Sequence, residues 1–293
     1  MKTSLSQVPA TSVRPLTEPQ RRALISLLAD EDPAVFATVR ERLLDQGLVA
    51  ADWLKPYLLS DHPLLRRRAR DISDHLGRVA ADAEFNAFIL NHGEHFDLER
   101  GVFLLARTQY PQLNLAAYAA LLDSFADDLR PRLAGVTDHF ALLGTINDYL
   151  FKEKGFHGNE ATYYAPDNSY LNKVVDLRTG NPISLCTVYL FVGRRLKLPV
   201  VGIGFPWHFM CRYQTPTCEL YIDPFAQGRL LTKADCIKSL VQMAQGWADG
   251  FLAPSTPRRM LLRMCANLHQ IYHGLDMTEE GARFHRYVVA LAK

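Results

Sequence analysis

The sequence predicts an α+β fold, and three observations predict it. Apolar residues recur at helical spacing from Glu18 to about Leu150. One later helix, between Gly180 and Pro199, is apolar nearly all round, as a helix buried on every side must be. Three short β-type runs, VVGIGF, HFMCRY and CELYIDPF, follow it directly, and helical spacing then returns. Helices, a loop, a buried helix, an antiparallel sheet and more helices, in that order, keep the sheet apart from the helices instead of alternating with them.

Residues 1–17 hold no apolar core and read as a flexible arm, not as a secretory leader. RRALISLLAD stops at the acidic turn DEDP, and AVFATVRERLLDQG ends on a glycine suited to a helix C-terminus. AADWLKPYLLSD and HPLLRRRARDISDHLGR repeat that format, and LLADEDPAV matches LLSDHPLLR in placing Leu-Leu before a polar turn with Pro. The format resembles paired-helix repeats of the HEAT type, with an irregular helical bundle as the alternative. The Arg66, Arg67, Arg68 and Arg70 run is expected on the solvated face of an amphipathic helix. AEFNAFILNH, LERGVFLLARTQYP, NLAAYAALLDSFADDLRPRLAG and TDHFALLGTINDYLFKEKG continue as helices. No Ser- or Gly-rich linker follows them, so this helical domain is expected to pack on what comes next. Four parts result: the arm 1–17, a helical domain 18–150, a core 151–250 and a C-terminal helical hairpin 251–293.

The core opens with FHGNEATYYAPDNSYLNKVVDLRTG, rich in Asn, Asp, Gly and Tyr and without clear periodicity. A long ordered loop of this kind tends to serve a function. Asn181 is then a good N-cap, and Pro182 suits the first helical position because its missing N–H would be unpaired there. Cys186 falls four residues after Pro182, one turn in and on the same face. In the strands, a four-residue loop QTPT closed by Tyr213 and Cys218 sets His208 opposite Asp223. Residues so opposed share a face with Cβ atoms about 5 Å apart. A carboxylate there fixes the imidazole tautomer and raises its basicity.

Cys186, His208 and Asp223 thus stand in the chain order of a thiol triad. Two readings of Cys186 stay open at this point. It shares the Pro182 face and so points into a cleft, or it is a core cysteine made inert by apolar surroundings. Ser184 is a weaker nucleophile candidate, because two positions along a helix turn it away from Pro182. Tyr163, Tyr164, Asn168, Asn181 and Trp207 are the candidate cleft or binding residues, with Trp207 either flooring the cleft or lying in the core.

YYAPDNSYLNKVVDLRTGNPISLCTVYLFVGRRLKLPVVGIGFPWHFMCRY, followed by YIDPF, resembles the SirB-type transglutaminase-like proteins of bacteria, described as regulators of sirC expression. The elements NSYLN, PISL, HF and DPF carry the resemblance, strongly over about 156–228 and more loosely over the helices after Pro257. It implies a papain-like, transglutaminase-type core joined to TPR-type helices, here a single hairpin. It also implies how the site departs from an enzyme. Active members open the central helix with Gly-x-Cys, carry Arg near its end and leave it through Leu/Val-Gly-Ile-Pro. Laid on this chain without gaps, the Gly is Gly180, the Arg is Arg194 and the exit Pro is Pro199, so the nucleophile position is Pro182. His208 and Asp223 match the other two triad positions.

The function expected is therefore a non-catalytic transglutaminase-like protein that binds a peptide or protein partner in a regulatory role. The alternative is a cysteine amidase, protease or acyltransferase using Cys186, His208 and Asp223. No cofactor is called for, and no metal, since no cysteine pair has CxxC spacing. A net charge of +2 argues against direct nucleic-acid contact, and no apolar run approaches the ~18 residues of a membrane span. Five scattered cysteines and no export signal point to reduced thiols in the cytoplasm.

Overall fold

A computed structural model describes residues 16–242 and 249–293. The arm's residues 1–15 and the end of the helix expected over TKADCIKSLVQMAQGW lie outside the described residues. The described residues form two compact units, 16–82 with 110–112, and 83–109 with 113–242 and 249–293.

In the first unit, α1 (Glu18–Ser26) starts where Thr17 N donates to Gln20 Oε1 at 3.0 Å. Asp32 caps α2 (Pro33–Leu44) by accepting from Ala34 N at 2.8 Å, with Pro33 at the first helical position. These helices, α3 (Leu48–Leu54) and the first part of α4 (Pro63–Asn91) close on Leu28, Leu43, Ala50, Leu54, Ala69 and Ile72, all fully buried. The arginine run is a solvated face only in part: Arg67 and Arg70 are exposed, Arg66 is half-buried and Arg68 turns inward. Arg68 is buried: its Nη1 donates to the carbonyls of Leu28, at 3.2 Å, and Asp30, and its guanidinium lies 4.3 Å from the Phe36 ring centre. Arg66 and Arg70 donate to the Ser60 and Leu58 carbonyls at 2.7 and 3.3 Å. Helical turns end with unpaired carbonyls, and here arginines satisfy them.

The second unit is α+β. Its helices are the rest of α4, then α5 (Leu98–Arg107), α6 (Leu115–Leu133) and α7 (His139–Asn147). A two-stranded parallel pair follows, β1 (His157–Gly158) with β2 (Thr179–Gly180), enclosing α8 (Leu171–Leu177). The stretch without periodicity is thus partly helical. Two turns are too few to print a period, and Arg178, in the left-handed region at φ 60°, stops them. α9 (Pro182–Arg195) is buried along nearly its whole length. β3 (Val200–Ile203), β4 (Met210–Gln214), β5 (Glu219–Asp223) and β6 (Arg229–Leu231) form an antiparallel meander in that order. α10 (Lys233–Gln242), α11 (Pro257–Gly274) and α12 (Thr278–Leu291) complete the unit.

The β4–β5 register differs from the one expected. Tyr213 pairs with Leu220 and Gln214 with Glu219, so the loop is Thr215–Cys218. Thr215 Oγ1 organises it by accepting from Thr217 N at 3.3 Å and Cys218 N at 3.0 Å, a local bond that competes with ladder pairing. Tyr213 thus pairs two residues beyond its expected partner, an even shift that keeps every side chain on its expected face.

Candidate functional site

Asn181 starts α9 by accepting from Ser184 N at 3.0 Å, and its own Nδ2 donates to Ser169 Oγ at 2.9 Å. Pro182 then sits at the first helical position and faces a cleft of about 390 Å³. His208 lines the same cleft. Its Nε2 is 2.9 Å from Asp223 Oδ1. The two meet although His208 precedes β4, because diagonal neighbours on one face of an antiparallel pair stay within reach. Asp223 is 5% exposed and also accepts from Ala226 N at 3.2 Å, so the DPF turn itself orients the carboxylate. His208 Nδ1 has no hydrogen-bond partner among the described residues.

Phe225, the last residue of DPF, packs edge-on to His208 with ring centres 6.1 Å apart, and edge-on to Tyr163 at 6.0 Å. A Cβ on Gly158 would come within 2.7 Å of the Phe225 ring, so only glycine admits this approach. Tyr163 and Tyr164 line the cleft, Tyr164 strongly exposed. Burial raises the Tyr163 phenol pKa, Tyr164 adds to the shift and the Arg263 charge opposes it. Trp207 is neither floor nor core. It is 81% exposed at the rim, held at φ 57°, a region that costs a bulky residue about 1–2 kcal/mol.

Asn168 does not line the cleft. It is 2% exposed, its Nδ2 donates to the Thr162 and Tyr163 carbonyls at 2.7 and 3.0 Å, and its Oδ1 accepts from Asn159 Nδ2 at 3.0 Å. It positions the tyrosine loop. Cys186 does not line the cleft either. It is fully buried, and its thiol donates to the Phe209 carbonyl at 3.3 Å. Burial, above all, pushes its pKa well up, and Cys211 and the Asp223 charge push the same way. The side chain that shares a helix face with Pro182 lies one turn deeper, and the neighbouring strand covers it. The Ser184 hydroxyl is buried between the carbonyls of Asn168 and Asn181, at 2.7 and 3.0 Å.

Three polar cleft residues escaped sequence reasoning, beside apolar Ile183, Phe209 and Ile271: Arg263, Asn267 and Gln270, the latter two four and seven residues after the first along one face of α11. The polar stripe was visible in RMCANLHQ, yet a polar stripe is also how a solvated face reads. Among the described residues no group of His, Cys, Asp and Glu can hold a metal ion, and no helix is long and apolar enough to cross a membrane.

A buried helix whose first turn opens on a His–Asp pair carried by an antiparallel sheet defines a transglutaminase-like core. The chain belongs to the transglutaminase-like superfamily, whose family model matches residues 116–266. It is 35% identical over 196 residues to a UPF0162 protein of Xylella fastidiosa (strain Temecula1), covering 65% of this chain and 70% of that protein. A UPF0162 protein of Pseudomonas aeruginosa is 32% identical over 123 residues, 41% of this chain and 44% of the relative. Mouse F-box only protein 21 is 33% identical over 135 residues, 43% of this chain but 21% of its own length. No solved structure matches the chain significantly.

Proposed function

We propose that this chain is a non-catalytic transglutaminase-like protein of the SirB type, whose cleft binds an extended peptide segment of a protein partner. One observation carries the reading. Where the helix meets the His208–Asp223 pair stands Pro182, which has no nucleophile, and the nearest helical thiol is sealed behind it. Thiol catalysis needs a thiolate within about 3–4 Å of the base. A cleft rimmed by exposed Trp207 and Tyr164 suits binding instead. The likeness to 21% of F-box only protein 21 supports a module that larger proteins also carry.

In this reading a core of residues 151–250 is served by the helical domain 18–150, of HEAT-like format, and by a TPR-like hairpin 251–293. Its role is regulatory and its place is the cytoplasm, where the five thiols stay reduced.

Alkylation of the native protein by iodoacetamide from about pH 6 to pH 9, mapped by mass spectrometry, tests the absence of thiol catalysis. The thiolate is the reacting form, and a raised pKa keeps Cys186 neutral across that range. Burial likewise pushes Cys236 up to about 12. Half-buried Cys218 is expected to label first, Cys186 only on unfolding, and His208→Ala to change neither. Fast labelling of Cys186 at neutral pH that collapses in His208→Ala would overturn the proposal in favour of a cysteine amidase, protease or acyltransferase.

A further inference from the structure

We infer that the cleft selects an acidic side chain in its peptide and that Arg263 reads it; this rests on the peptide-binding reading above. Arg263 is half-buried at the cleft wall, and its side chain has no hydrogen bond or ion pair among the described residues. The same helix shows what a structural arginine looks like. Arg258, five residues earlier and buried, spends its guanidinium on four carbonyls: Leu291 at 2.9 Å, Ala290 at 2.8 Å, His92 at 3.0 Å and Ile89 at 3.2 Å. A partly desolvated guanidinium without a partner is costly, and a ligand carboxylate would relieve that cost.

The lining supplies the rest of the argument. Among the described residues no Asp or Glu lines the cleft, and the nearby Asp223 is engaged by His208. The cleft therefore complements an anion. One guanidinium fits one carboxylate in a two-pronged bond. Readers of phosphate gather several arginines, and captors of a chain terminus use backbone N–H nests; this wall has one arginine on a continuous helix. Asn267 and Gln270 each both donate and accept, which matches the alternating N–H and C=O groups of an extended strand. Tyr163 and Trp207 leave an aromatic surface for an apolar neighbour of the acidic residue.

The test uses the full chain on an array of random heptapeptides blocked at both ends, then anisotropy titrations of the best binder with Glu, Gln or phosphoserine at the selected position. Bound peptides are expected to be enriched in Glu or Asp beside an apolar residue. Glu→Gln in the peptide and Arg263→Gln in the protein should each weaken binding about tenfold or more, and together no further. Arg263→Lys should restore only part, since it keeps the charge and loses the fork. Unchanged thermal midpoints establish that the variants fold. Equal weakening of Glu and Gln peptides by Arg263→Gln, or binding without acidic preference that Trp207→Ala removes, would overturn the role of Arg263 and leave peptide binding standing. Strong preference for phosphoserine, or for a free C-terminus in an unblocked control, would overturn the acidic side chain. No binding of any peptide by the wild-type chain would overturn both readings.

Discussion

The two ends of α9 treat polar groups in opposite ways. At its C-terminal end Arg194 and Arg195 are both paired. Buried Glu99 accepts from Arg194 Nη2 at 2.6 Å and from Arg195 Nη1 and Nη2 at 2.7 and 2.8 Å, while Arg195 Nε reaches Asp123 at 2.5 Å. The arginine that the superfamily resemblance places near the helix end is thus part of a clamp. At the N-terminal end, among the described residues, one His208 ring nitrogen and the Arg263 side chain have no hydrogen-bond partner, and an exposed tryptophan sits in a strained backbone conformation. The Glu99 clamp spends its charges inside the fold, whereas His208 Nδ1 and Arg263 leave theirs open to one cleft, which is how a binding site differs from a brace of similar composition.

The contrast is sharpest where charge is buried. Glu99→Ala is expected to destabilise the fold by about 3–5 kcal/mol, because Arg195 would stay buried without its main partner. Urea unfolding measures this, and a loss under about 1 kcal/mol would mean the clamp is not structural. Next comes the support beneath the cleft. Asn168→Ala takes this donor from the Tyr163 carbonyl and this acceptor from Asn159 Nδ2, while Ala165 N still serves the Thr162 carbonyl, and should cost about 1–3 kcal/mol. Peptide binding should fall with it, because the tyrosine loop loses its anchor; full binding by a stably folded variant would separate the loop from the site.

The smallest expected effect has the opposite sign. Trp207→Gly relieves a left-handed conformation and gives up almost no burial, so it should stabilise the protein, by about 1 kcal/mol or less. Peptide binding should be lost in the same variant. A stability loss would show that Trp207 packs in solution and would blur the line between rim and core.

Much of this was legible in the chain. The α+β class followed from where the helical period stops, and the cap of α9 from Asn181 before Pro182, because caps are local chemistry between residues three apart. That His208 and Asp223 share a face needed only the period of two along each strand. The expected loop was nevertheless wrong by one position. The Thr215 hydroxyl decided it, and nothing in apolar spacing reports on such a bond.

By itself, then, the sequence determined the class, the cap, the apolar helix around Cys186 and the shared face of His208 and Asp223. Each depends on residues close in the chain or on strict periodicity. Only the tertiary structure decided which polar groups are spent and which are free. Arg68 and Arg258 disappear into carbonyls, Asn168 turns from cleft to scaffold, and Trp207 stands out in solvent. Arg263 comes to the His208 wall from a helix more than fifty residues further along the chain. An arginine reads the same in sequence whether it meets a carbonyl, water or an open cleft. The difference is the neighbour that distant packing brings to it.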